Sequence, residues 1–117
     1  MKVEALTKLV FEALDDLKAV DVRVIDVRGK SNVTDMMVVA TGTSARHVKS
    51  LAENVIDKVK QNGGRPLGIE GEDIGEWVLV DLADVVVHVL QAEMRDFYQL
   101  EKLWETEPAN RSKSSNA

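Results

Sequence analysis

The chain has 117 residues, 44% of them hydrophobic, no cysteine, and a formal net charge of −5 from 15 Lys plus Arg against 20 Asp plus Glu. That length holds a single core and one domain, and the absence of cysteine excludes disulfides, thiolate metal sites and thiol redox chemistry. The acidic balance argues against affinity gained mainly by neutralising phosphates and favours a basic partner; Arg28, Lys30, Arg46, Lys49, Lys58, Lys60 and Arg65 could still gather on one side, which leaves direct RNA contact as a secondary role.

From Val3 to Lys18 the apolar residues Leu6, Leu9, Val10, Ala13, Leu14 and Leu17 fall at the i, i+3, i+4, i+7 spacing of an amphipathic helix. Charges enter this segment throughout, so it lacks the apolar run of a signal peptide, and no window approaches the length of a membrane span. A cytoplasmic protein is expected. Asp21 to Val27 is β-branched, Arg28 to Asp35 is polar with a glycine, and Met36 to Thr41 is apolar again, which reads as two antiparallel strands and their loop.

Gly42-Thr43-Ser44 introduces a second helix, with Thr43 or Ser44 as its cap and Val48, Leu51, Ala52, Val55, Ile56 and Val59 as its buried stripe. Asn62-Gly63-Gly64 ends it. Pro66 to Gly71 is a short third strand, and strand, helix, strand in this order implies a right-handed parallel crossover and hence a mixed sheet. Trp77 to Val80 and Val85 to Leu90, separated by Asp81-Leu82-Ala83-Asp84, form an antiparallel hairpin. A last helix covers one sheet face and carries Phe97, Tyr98 and Trp104, three of the five aromatic residues in the chain. After Trp104 the sequence TEPANRSKSSNA has no apolar side chain larger than alanine and cannot offset the entropy of ordering. The expected organisation is an α/β domain over 1–104, with a five-stranded mixed sheet in α-β-β-α-β-β-β-α order, and a disordered tail over 105–117.

Strand parity puts Trp77, Leu79 and Asp81 on one face and Val78, Val80 and Leu82 on the other. Likewise, if Val85, Val87 and Val89 face the core, Val86, His88 and Leu90 line a second, partly polar face. One apolar row must meet the helices; the other either forms a protein-binding patch with a polar rim or is covered. Asp81 and Asp84 suit a divalent cation by their oxygen ligands, but Asp is also an ordinary turn residue. Gly42-Thr43-Ser44 offers backbone donors to a phosphate and equally reads as plain capping. His47 and His88 have no metal-ligand spacing, and no residues suggest nucleophilic catalysis.

Thr34-Asp35, Thr41-Gly42-Thr43-Ser44 with Arg46-His47, the block from Glu76-Trp77 to Asp84-Val85-Val86-Val87-His88-Val89, and Tyr98-Gln99-Leu100-Glu101-Lys102-Leu103-Trp104 together resemble the bacterial ribosomal silencing factor, or Iojap-like, family. The resemblance runs to Trp104. It implies a mixed α/β fold related to nucleotidyltransferases without their catalytic acids, no enzymatic activity, and no cofactor or metal. It further implies binding to the large ribosomal subunit through its fourteenth protein, uL14, a basic protein on the intersubunit face, so that the small subunit cannot join in starved or stationary cells. Carried onto this chain, Trp77, Leu82 and Tyr98 would be apolar anchors, Asp81, Asp84 and Glu93 would meet Lys and Arg groups, and His88 would belong to the same surface. Two other readings stand beside it: a metal-dependent nucleotidyltransferase-like enzyme using Asp81 and Asp84, and a homodimer that covers its apolar face with a second copy.

Overall fold

The computed structural model describes residues 1–98, without the side chains of 97 and 98. Trp104 and the expected tail lie outside the described residues. The element order is α1 (Val3–Asp16), β1 (Val20–Asp26), β2 (Met36–Gly42), α2 (Ala45–Gln61), β3 (Gly68–Glu70), β4 (Trp77–Asp81), β5 (Val85–Gln91) and α3 (Ala92–Tyr98). It reproduces the α-β-β-α-β-β-β-α order expected from the sequence. The five strands form one mixed sheet in the order β1-β2-β5-β4-β3, with β2 and β5 parallel and every other pair antiparallel.

Both helix ends follow from local chemistry. Ser44, rather than Thr43, caps α2, its hydroxyl accepting the His47 amide at 3.0 Å. At the other end Gly63 takes φ +86°, the Gly64 amide reaches the Val59 carbonyl at 2.8 Å and the Gly63 amide reaches Lys60 at 3.1 Å. This is a Schellman motif with glycine in the left-handed position. Helix α1 ends in the same motif, with Ala19 donating to Leu14 and Lys18 to Asp15, both at 3.0 Å, but here Lys18 itself takes the left-handed φ of +61°. Periodicity carries the predicted helix to Lys18 because nothing in a lysine announces that stop. Helix α1 therefore closes at Asp16.

The crossover from β2 through α2 arrives at β3, but not beside β2: β5 and β4 lie between them. The parallel neighbour of β2 is β5 instead. Strand β3 is also shorter than expected: Pro66 has no amide to donate, the Leu67 amide makes the first bond to β4, at 2.8 Å to the Asp81 carbonyl, and the regular register runs only from Gly68 to Glu70.

Helices α1 and α2 pack on one face of the sheet. Leu6, Val10, Ala13 and Leu14 of α1 and Val48, Leu51, Ala52, Val55 and Val59 of α2 are buried against Val38, Ala40, Val78, Val80, Val85, Val87 and Val89. Each such valine or leucine removed from water contributes about 1.5–3 kcal/mol, so this layer is the main source of stability. The Lys58 ammonium at 2.9 Å from Asp16, the Asn54 amide donating to Ala13 at 2.8 Å and His47 Nε2 donating to Leu17 at 2.7 Å tie the two helices together. A smaller cluster on the opposite face joins Ile25, Val27, Met37, Val39 and Leu90, with Trp77 and Met94 packed against it.

The turn into β4 is tight. Gly71 has φ +86°, and a Cβ there would run into the Trp77 carbonyl oxygen. Gly71→Ala is expected to lower the unfolding free energy by about 2–4 kcal/mol in urea titrations. A loss below about 0.5 kcal/mol would show that the loop yields freely.

Candidate functional site

The register of the sheet lays out the face opposite α1 and α2 as rows of neighbouring side chains. Met37 pairs with Ile25 and Val86, and Val86 with Asp81; Val39 pairs with Arg23 and His88, and His88 with Leu79; Thr41 and Trp77 both flank Leu90. Helix α3 lies over this face, packed on β5 and β2, with Met94 against the smaller cluster. Trp77, Leu79, Asp81, Val86 and His88 are left partly exposed between α3 and the hairpin tip. Their strand partners Val78, Val80, Val85, Val87 and Val89 are wholly buried on the helix side. The parity expected from the sequence holds in both strands of the hairpin.

Trp77 and His88 form the polar centre of this face. The indole N–H donates to His88 Nδ1 at 3.0 Å, and the rings sit 5.9 Å apart at 55°. An Nδ1 that accepts is unprotonated, so the imidazole is neutral with its proton on Nε2. Burial acts the same way, pushing His88 down to about 4. The rim carries carboxylates: Glu70, which pairs with Leu79, and Glu76 and Glu93, which line one cleft beside α3, are exposed. Gln91 holds the loop before β4 in place, its amide N–H donating to Glu76 and its side chain to Gly75, both at 3.0 Å.

Of the residues singled out in the sequence, Trp77, Asp81 and His88 share this face, and Glu93 is exposed on α3 beside it. Leu82 does not join them. It is 5% exposed in the core beneath the helices, so the expected apolar anchor at this position is corrected to a core residue. The parity that aims Trp77 outward aims Leu82 inward. Asp84 is exposed at the hairpin tip and, with Leu82, Gly64 and Arg65, lines an open cleft of about 250 Å³ toward the helix side. Tyr98 closes the described part of α3; its side chain lies outside the described residues. Leu79 and Val86 belong to the face and were passed over, although strand parity already placed them there. Thr41 and Arg95, buried at the α3 end, had no signal in the sequence.

Asp81 and Asp84 do not converge. The Asp81 carboxylate accepts the Ala83 amide at 2.8 Å, closing a turn in which Ala83 takes φ +70°, and Asp84 turns to the cleft on the other side. Among the described residues no three His, Cys, Asp or Glu side chains gather as metal ligands. Gly42-Thr43-Ser44 is engaged in capping: Ser44 accepts the His47 amide, and the Thr43 amide donates to His47 Nδ1 at 2.9 Å. No helix of the described residues is long and apolar enough to cross a membrane.

The neutral His88 makes the fold sensitive to acid. Its proton affinity is lower in the folded than in the unfolded chain, so unfolded molecules take up the proton first as pH falls. The stabilisation is complete above the ordinary imidazole value of 6.5 and is lost as pH drops from there through about 4. It amounts to at most about 3 kcal/mol. Urea titrations between pH 7.5 and 4.5 are expected to show this loss, and His88→Gln, which can still accept from Trp77, is expected to flatten it. An equal pH slope in both proteins would assign the loss to other groups.

Fold and face together define a small α/β domain with a five-stranded mixed sheet, two helices on one side and a partly open, acid-rimmed surface on the other. A family model described as "Ribosomal silencing factor during starvation" matches residues 1–117. The ribosomal silencing factor RsfS of Haemophilus influenzae is 46% identical over 100 residues, covering 86% of this chain and 98% of that protein. A crystal structure of a protein from Chromobacterium violaceum superposes with a TM-score of 0.89 at 41% identity, covering 97% of this chain and 95% of that one. Mouse "Mitochondrial assembly of ribosomal large subunit protein 1" is 36% identical over 87 residues, covering 72% of this chain and 38% of that protein. The chain belongs to the ribosomal silencing factor (RsfS) family.

Proposed function

We propose that this chain represses translation, in starvation or stationary phase, by binding the large ribosomal subunit through its fourteenth protein, uL14, and blocking the small subunit from joining. The observation that carries the reading is family membership over the whole chain, as a silencing factor of ribosomes. The name of the mouse relative, which concerns assembly of the large mitochondrial ribosomal subunit, supports the choice of subunit. The open face supplies the means. It offers partly exposed Trp77, Leu79 and Val86 inside a rim of carboxylates, which suits a basic partner with an apolar centre.

Silencing by exclusion requires no reaction. A contact of roughly 800 Å² per partner is enough for a stable complex, and a body bound on the intersubunit side excludes the other subunit by volume alone. Trp77 is the anchor in this account, because an indole in the centre of a contact commonly carries much of its energy. Asp81, Asp84 and Glu93 steer association, with His88 holding the indole in orientation through its Nδ1. A homodimer through the same face would compete with the subunit, and direct contact with ribosomal RNA is secondary in a chain of charge −5.

The test is binding to purified uL14. Trp77→Ala is expected to weaken the complex by at least tenfold, about 1.4 kcal/mol or more, while far-ultraviolet circular dichroism stays native. The exposed Asp84→Lys is expected to slow association several-fold and to reduce its salt dependence. Unchanged affinity of a folded Trp77→Ala protein would reject this face as the binding surface.

A further inference from the structure

Arg95 is the one charged side chain buried among the described residues, at 6% exposure. Its Nη1 donates to the Asp21 carbonyl oxygen at 2.5 Å and to the Thr41 hydroxyl at 2.9 Å, and its Nη2 lies 3.5 Å from the Asp21 carboxylate. Burying a guanidinium costs heavily unless its donors are matched, and its planar fork accepts only a narrow set of orientations. The partners here come from distant parts of the chain. Asp21 sits where the register of β1 against β2 shifts, with a left-handed φ of +47° that aspartate tolerates better than most side chains, and Thr41 is near the end of β2.

Helix α3 follows β5 without a loop, Ala92 directly after Gln91. Beyond that junction it is held to the sheet by the packing of Met94, which has no preferred direction, and by Arg95, which has several. A buried ionic group set across three elements fixes geometry more than it adds stability. We infer that Arg95 is a positioning residue of the docking face. It locks α3, and with it Glu93 and Tyr98, onto the β1 bulge and β2, so that the face is formed before its partner arrives. The inference rests on the docking face proposed above. It deepens that reading by making α3 a preformed part of the face, so that the clamp at its back controls how much of the protein can bind at any moment.

The kinetic consequence is specific. If the clamp sets the binding-competent fraction, losing it lowers the association rate and the affinity by the same factor and leaves dissociation unchanged. A residue that touched the partner would instead raise the dissociation rate. The experiment compares the full chain with Arg95→Gln and Thr41→Val by stopped-flow association with purified large subunits, alongside hydrogen exchange resolved by segment.

Arg95→Gln is expected to slow association about tenfold with dissociation unchanged, and to speed exchange over 92–98 while α1 and α2 keep their protection. Thr41→Val, which removes one acceptor and keeps the branched shape, is expected to move both readouts in the same direction by less. If Arg95→Gln does not fold, Thr41→Val decides alone. Unchanged association by the folded variants, beside an unaltered chain that binds, overturns this inference only; so does a loss of protection spread evenly over the domain. An unaltered chain that binds no large subunit overturns both this inference and the docking reading.

Discussion

The parallel pairing of β2 with β5 is the constraint on which the other contacts depend. Seven consecutive pairs run from Met36 and Val85 to Gly42 and Gln91, joining segments nearly half the chain apart. Strand β2 is buried along almost its whole length, and β5 is buried on the helix side and partly open at Val86 and His88 on the other, which is why both read as nearly unbroken apolar runs. The pairing is sealed at the hairpin tip, where the Asp84 carbonyl accepts the amides of both Asp35 and Met36 at 3.0 Å. Its formation closes a loop containing α2, β3 and β4, so it is a slow, late-rewarded contact of the kind that limits folding rates. A slip by one residue would exchange Val87 for His88 in the core beneath the helices. The burial cost of an imidazole there fixes the register.

Once that pair is formed, the two faces diverge for simple reasons of area. Helices α1 and α2 are long enough to cover the middle of one face, and every valine of β2, β4 and β5 that points toward them is buried. The described part of α3 runs only from Ala92 to Tyr98 and covers the Thr41 end of the other face. What remains there is apolar in the centre and acidic at the edge. Trp77 is a sensible occupant because its indole packs on the smaller cluster while its N–H still finds an acceptor in His88. The pair satisfies itself internally, so the face meets solvent without an orphaned donor at Trp77 and leaves part of the indole open for contact.

Much of this was legible in the residues. The stripe of α2, its Asn62-Gly63-Gly64 stop and the alternation in Trp77 to Leu90 depend on local periods and turn chemistry, and each appears in the structure as read. Pairing partners are not local. That β2 meets β5 rather than β3 depends on which apolar strand best fills the centre of the sheet, and β3, with three residues and Pro66 before it, is suited only to an edge. The stop of α1 at a left-handed Lys18 was hidden because no glycine marks it. At the candidate site parity located Trp77, Asp81 and His88 together and put Leu82 on the opposite face, where it is buried; its part as an anchor came from the family resemblance alone. Arg95 was unreadable for a plainer reason: a surface-type residue on a helix gives no sign that strands far away in sequence hold acceptors for it.

Family membership and an open acidic face together make exclusion, rather than chemistry, the economical account of how such a small domain could silence a ribosome. The most direct test is a sucrose gradient of the purified protein with isolated large subunits, isolated small subunits and joined ribosomes. The account predicts co-sedimentation with large subunits alone and a falling yield of joined particles as protein is added before the subunits are mixed. Binding to small subunits instead, or joining that proceeds at full yield on large subunits saturated with the protein, would contradict it.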